Sequence, residues 1–72
     1  MVETNLIDIL VNDIPERVPA GSNVQSLIER FDETDPHLIV ELNGRFVYSQ
    51  TYGVTIVKEA DRLEFINPNF GG

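Results

Sequence analysis

An α+β fold, a mixed sheet of about five strands crossed by one main helix, is predicted by three features of this 72-residue chain. Apolar residues recur at i, i+3, i+4 and i+7 through Val24, Leu27, Ile28 and Phe31, which makes one helical stripe. Short runs rich in β-branched and aromatic residues lie on both sides of it. Two Asn-led turns, Asn12-Asp13 and Asn43-Gly44, divide those runs into hairpins. A lone amphipathic helix has to bury its stripe on a sheet, because no second helix is present to receive it.

Leu6 to Val11 forms the first strand, and Ile14 to Val18 the second. Pro15 lacks a backbone donor and so places the second strand at the sheet edge. Pro19-Ala20-Gly21 closes the hairpin, after which Ser22 (in a box with Gln25) or Asn23 caps the helix. Gln25, Ser26, Glu29 and Arg30 occupy the solvent side. Pro36 bars the helix from the acidic connection Asp32-Glu33-Thr34-Asp35, whose spacing has no EF-hand pattern and reads as a solvated loop. Leu38 to Leu42 is the third strand and Phe46-Val47-Tyr48 the fourth. Ser49 to Thr55 is polar and aperiodic, an irregular connection. Ile56-Val57 precedes a turn at Lys58-Glu59-Ala60-Asp61, and Leu63-Glu64-Phe65-Ile66 is the last strand, with Leu63 and Phe65 on one face. The order is β-β-α-β-β-β. The core is expected from Val24, Leu27, Ile28 and Phe31 packed on Ile9, Val11, Val40, Leu42, Leu63 and Phe65. Residues 1–66 form one domain and 67–72 a flexible C-terminal tail.

Composition narrows the function. Twelve acidic against five basic side chains give a formal charge of −7, which repels phosphate backbones and anionic lipid and disfavours nucleic acid and membrane as partners. The chain has no cysteine, so neither a disulfide framework nor a thiolate zinc site is available. No apolar run approaches the ~20 residues a bilayer span needs, and Met1-Val2-Glu3-Thr4 does not open a signal peptide. A cytoplasmic monomer follows as the expectation. His37, the only histidine, has no nucleophile or orienting group in recognisable arrangement with it and is expected to be a surface residue. No catalytic residue, metal site or bound cofactor is expected.

Chemistry points instead to the end of the sequence, Phe70-Gly71-Gly72. A diglycine is narrow, reaches backbone angles closed to other residues and can thread a confined tunnel. Its α-carboxylate is a poor electrophile until one oxygen becomes a better leaving group, which adenylation achieves. Gly72 is thus the candidate for modification, with Gly71 and Phe70 as the segment that enters a partner. Pro68 fixes its own φ and biases Asn67 toward extended geometry, so the tail is expected to leave the sheet pointing outward.

Several segments in their order resemble a known family. Ile9-Leu10-Val11-Asn12-Asp13, the helix entry Ala20-Gly21-Ser22-Asn23-Val24, the hairpin Val40-Glu41-Leu42-Asn43-Gly44, the element Glu59-Ala60-Asp61-Arg62-Leu63-Glu64-Phe65 and the terminal Gly71-Gly72 are similar to those of ThiS/MoaD-like sulfur carriers. The thiamine-pathway members resemble it most. The resemblance covers essentially the whole chain and implies a β-grasp, ubiquitin-like fold. Ala60 departs from the family's usual glycine, Tyr48-Ser49 from its Pro-basic pair, and Asn67-Pro68-Asn69-Phe70 from its aliphatic tail. The last two departures bear on partner choice.

The resemblance implies a protein co-substrate rather than an enzyme. A ThiF-like, E1-like adenylyltransferase would consume ATP to adenylate Gly72, a persulfide donor would convert it to a thiocarboxylate, and a ThiG-like thiazole synthase would take the sulfur. Two alternatives stand beside thiamine biosynthesis. One is a carrier for molybdopterin or for cysteine or homocysteine synthesis, though the short connection from Asp32 to His37 argues against the molybdopterin subunit. The other is a ubiquitin-like interaction module whose diglycine does no chemistry.

Overall fold

The computed structural model describes residues 5–68. Within them the order is β1 (Leu6–Val11), β2 (Ile14–Pro19), α1 (Val24–Arg30), β3 (Ile39–Leu42), β4 (Arg45–Val47), a 3-10 turn (Ser49–Thr51) and β5 (Arg62–Ile66). The five strands form one sheet in the order β2-β1-β5-β3-β4. β1 and β5 are parallel, and the other neighbours are antiparallel. The expected α+β plan is therefore present, with β2 and its Pro15 at the edge. The last strand in sequence is the middle strand in space.

Both hairpins turn as their asparagines require. Asn12 and Asp13 adopt φ of 50° and 68°, and Asn43 and Gly44 adopt 54° and 80°, the positive pair that a type I′ turn needs. Asn23 caps α1: its side chain accepts from Ser26 N–H at 2.7 Å, and Ser26 Oγ accepts from Asn23 N–H at 3.1 Å. The capping box is thus Asn23 with Ser26 and not Ser22 with Gln25. Ser22 is occupied elsewhere, its hydroxyl donating to the Pro19 carbonyl at 2.6 Å.

The helix stops a turn earlier than Pro36 demands. Asp32 takes a φ of 57° and donates its N–H to Glu29 O, while Glu33 N–H reaches Ile28 O at 3.0 Å. This pair of bonds closes a helix end with a left-handed residue, a position usually given to glycine. The aperiodic segment after β4 serves the opposite end. Tyr52 O accepts from Gln25 N–H and Thr55 O from Val24 N–H at 2.9 Å, so the loop satisfies first-turn donors that have no intrahelical partner.

Val24 and Leu27 are buried beneath α1, with Ile28 and Phe31 packed at its margin, and Phe31 meets Phe65 at a centroid separation of 6.5 Å. From the sheet come Ile9, Val11, Val40, Leu63 and Phe65, as the period-two pattern predicts, with Leu42 only partly buried. Val18, Val47 and Val57 also belong to this core. Replacing Leu27 with Ala should cost about 2–5 kcal/mol in chemical denaturation, and a loss below about half a kcal/mol would reject its place in the core.

Ala60 sits at φ 72° with its N–H donating to Asp8 O at 2.8 Å. A Cβ at that angle crowds the following carbonyl and costs on the order of 1 kcal/mol. Ala60→Gly should therefore stabilise the fold by up to about 1 kcal/mol, less the backbone entropy that glycine adds to the unfolded chain. Equilibrium unfolding checks this, and a clear loss of stability would contradict it.

Candidate functional site

The residues singled out for chemistry, Phe70, Gly71 and Gly72, lie outside the described residues. What the structure shows is the strand that precedes them in sequence. β5 runs between β1 and β3, with Val11 beside Leu63 on one side and Ile39 opposite Ile66 on the other. Parallel β1 flanks the strand only as far as Leu63, whereas antiparallel β3 pairs with it through Ile66, the residue before Asn67 and Pro68. Few positions in so small a sheet are better fixed than this one.

Side chains complete the hold where backbone pairing stops. Asn12 N–H donates to Leu63 O at 2.9 Å, and the Asn12 carboxamide then grips Phe65, accepting from its N–H at 2.8 Å and donating to its carbonyl at 3.2 Å. At the other end of β5, Asn43 Oδ1 accepts from Arg62 N–H at 2.9 Å, and Asn43 N–H donates to Arg62 O at 2.7 Å. Arg62 reaches Asp13 at 2.9 Å in an exposed pair, which water screens and which contributes little. Sequence reasoning saw both asparagines as turn formers only. Their long-range bonds leave no periodic trace, although Asn in place of Asp supplies a donor that an ordinary turn does not need.

Beside the exit lies a shallow groove of about 390 Å³ lined by Asn12, Asp13, Glu64, Phe65, Ile66 and Asn67. Ile66 pairs with Ile39, and on β4 and just after it Phe46 stands edge-on to Tyr48 at 4.8 Å between centroids. Phe46 and Tyr48 are 54% and 64% exposed. Phe46 and Tyr48 line a separate hollow of about 410 Å³ with Gln25 and Ile28 of α1 and the loop around His37.

The sequence-predicted surface histidine lies on the loop after α1. His37 is exposed, and its backbone N–H donates to Asp35 Oδ1 at 2.8 Å in a loop that also carries Glu33. Among the described residues no group of three His, Cys, Asp or Glu side chains converges to hold a metal ion. Tyr52, whose phenol is pushed above its ordinary value by burial, lies against the core beside α1. Among the described residues no helix is long and apolar enough to cross a membrane.

Comparison with known proteins agrees with this geometry. A search of curated proteins returns no match. Among solved structures, the crystal structure of the thiamine biosynthesis protein ThiS from Geobacter metallireducens superimposes with a TM-score of 0.81 at 29% identity, over 92% of this chain and 100% of that one. The model of the ThiS family matches residues 5–72, almost the whole sequence and through the diglycine. With that match and the ubiquitin-like sheet on which the tail is mounted, the chain belongs to the ThiS family.

Proposed function

We propose that this protein is a sulfur carrier of thiamine biosynthesis and that the Gly72 carboxylate is the group it carries sulfur on. The observation that supports this most is the family match running from residue 5 to residue 72, on a fold whose central strand ends at Ile66 just before the tail. The chain contributes a substrate, and its partners contribute the catalysis.

The chemistry follows from the carboxylate. A Gly72 oxygen attacks the α-phosphorus of ATP within an E1-like adenylyltransferase, pyrophosphate leaves, and an acyl adenylate forms. The terminal sulfur of a persulfide attacks the acyl carbon and expels AMP. A thiol then takes the other sulfur of the resulting acyl disulfide into a new disulfide, and the thiocarboxylate departs with the electron pair. That sulfur is a nucleophile, ready for a thiazole synthase to build into a ring. Each partner would engage the narrow Gly71-Gly72 end and cover the groove beside Phe65 and Ile66 from which it departs. The net charge of −7 favours approach to a basic face.

ATP–pyrophosphate exchange with a ThiF-type adenylyltransferase tests the proposal. Wild-type carrier should support exchange, and a chain extended by one residue after Gly72 should support none, with folding unchanged in both. Gly71→Ala should reduce exchange by about tenfold or more, the equivalent of a tunnel clash worth about 1.4 kcal/mol. Exchange that survives the extension, without proteolytic trimming, would return the chain to the class of interaction modules.

A further inference from the structure

The two asparagines that touch β5 do different work, because one lies at the start of the strand and the other at its tail end. β1 and β5 pair only as far as Val11 and Leu63. There β1 turns into the Asn12-Asp13 hairpin, with Asn12 at φ 50°. Phe65, two residues further along β5, is buried and presents both its N–H and its C=O to the β1 side, where no β1 backbone remains to meet them. A carboxamide carries the donor and acceptor of a peptide group. The Asn12 side chain uses both, at 2.8 Å to Phe65 N–H and 3.2 Å to Phe65 O, and so supplies the rung that the next peptide of β1 would have supplied.

The geometry points to Asn12 as the positioning residue of the carrier tail. β3 pairs with Phe65 and Ile66 on one side, and Asn12 closes the β1 side, so Phe65 is held on both flanks and the chain leaves from Ile66 in one direction. On this basis, which rests on the sulfur-carrier reading, the adenylating partner meets a terminus whose last anchor is already set and avoids the entropy of ordering it on binding. Loss of the rung would weaken capture of the tail and leave the chemistry untouched once Gly72 is seated, a change in KM rather than in kcat.

Asn43 provides the matched control. It too sits at a positive φ, 54°, and bonds a β5 amide through its side chain, but at Arg62, the far end from the tail. Glycine fits the backbone at both positions. Asn12→Gly should therefore raise the KM for the carrier in ATP–pyrophosphate exchange with a ThiF-type adenylyltransferase by about fivefold or more, the scale of one or two hydrogen bonds, with kcat within about twofold. Hydrogen exchange at the Phe65 amide should accelerate in parallel. Asn43→Gly should leave KM within about twofold while also losing stability. Asn12→Asp keeps the acceptor but not the donor; it should fall between wild type and Asn12→Gly, and it carries the test if the glycine variant does not fold. An unchanged KM despite a loosened Phe65 amide, or an equal rise for Asn43→Gly, would overturn the assignment. Absence of exchange with the wild-type chain would instead remove the carrier reading on which it rests.

Discussion

The structure depends on the placement of its last strand at the centre of its sheet. β5 is the only strand that touches both halves of the fold, the β1–β2 hairpin on one side and the β3–β4 hairpin on the other. Until it inserts, the two hairpins share no ladder, and the apolar faces of Ile9, Val11 and Val40 lack Leu63 and Phe65 between them. Such pairing is costly in loop-closure entropy because the partners lie about fifty residues apart in sequence, as Asn12 and Phe65 do with a separation of 53. The burial of β5 has to offset that cost, and this ties the integrity of the whole domain to the segment that leads into the tail.

That arrangement suits the proposed carrier role, in which a partner meets the residues that follow β5. An edge strand can slip or fray, whereas a central strand held by two neighbours delivers its end to one place. Anything mounted after β5 inherits the rigidity of the sheet up to Ile66. Among the described residues, the groove beside the exit is lined by apolar, carboxamide and acidic groups, from Asn12 and Asp13 to Phe65, Ile66 and Asn67.

Much of this was legible in the sequence, for identifiable reasons. Period-two and helical spacings found the strands and the stripe of α1, since each reports one buried face. Asn12-Asp13 and Asn43-Gly44 gave the hairpins because few residues accept positive φ. Val57 is a core residue that the periodicity does not reveal: it lies outside any regular strand, and an isolated bridge from Ile56 to Asn23 with bonds from Val57 N–H to Ser22 O and from Val24 N–H to Thr55 O brings it beneath the helix. The helix end before the connection that starts at Asp32 is legible from the stripe ending at Phe31, but the left-handed angle at Asp32 is not, because that position usually takes glycine. Ala60 was noted as a departure from glycine, and the structure shows that the turn keeps its positive φ. Of the site, the composition of the tail could be read but its platform could not, because the Asn12–Phe65 and Asn43–Arg62 bonds span distant parts of the chain.

The central claim is that the sheet exists to present one terminal carboxylate for sulfur transfer, and tandem mass spectrometry of the C-terminal fragment tests it most directly. After incubation with ATP, an adenylyltransferase of the ThiF type and a persulfide donor, the account predicts that one oxygen is replaced by sulfur and that fragment ions place the change at Gly72. Sulfur at no position, or sulfur elsewhere in the chain, would contradict it.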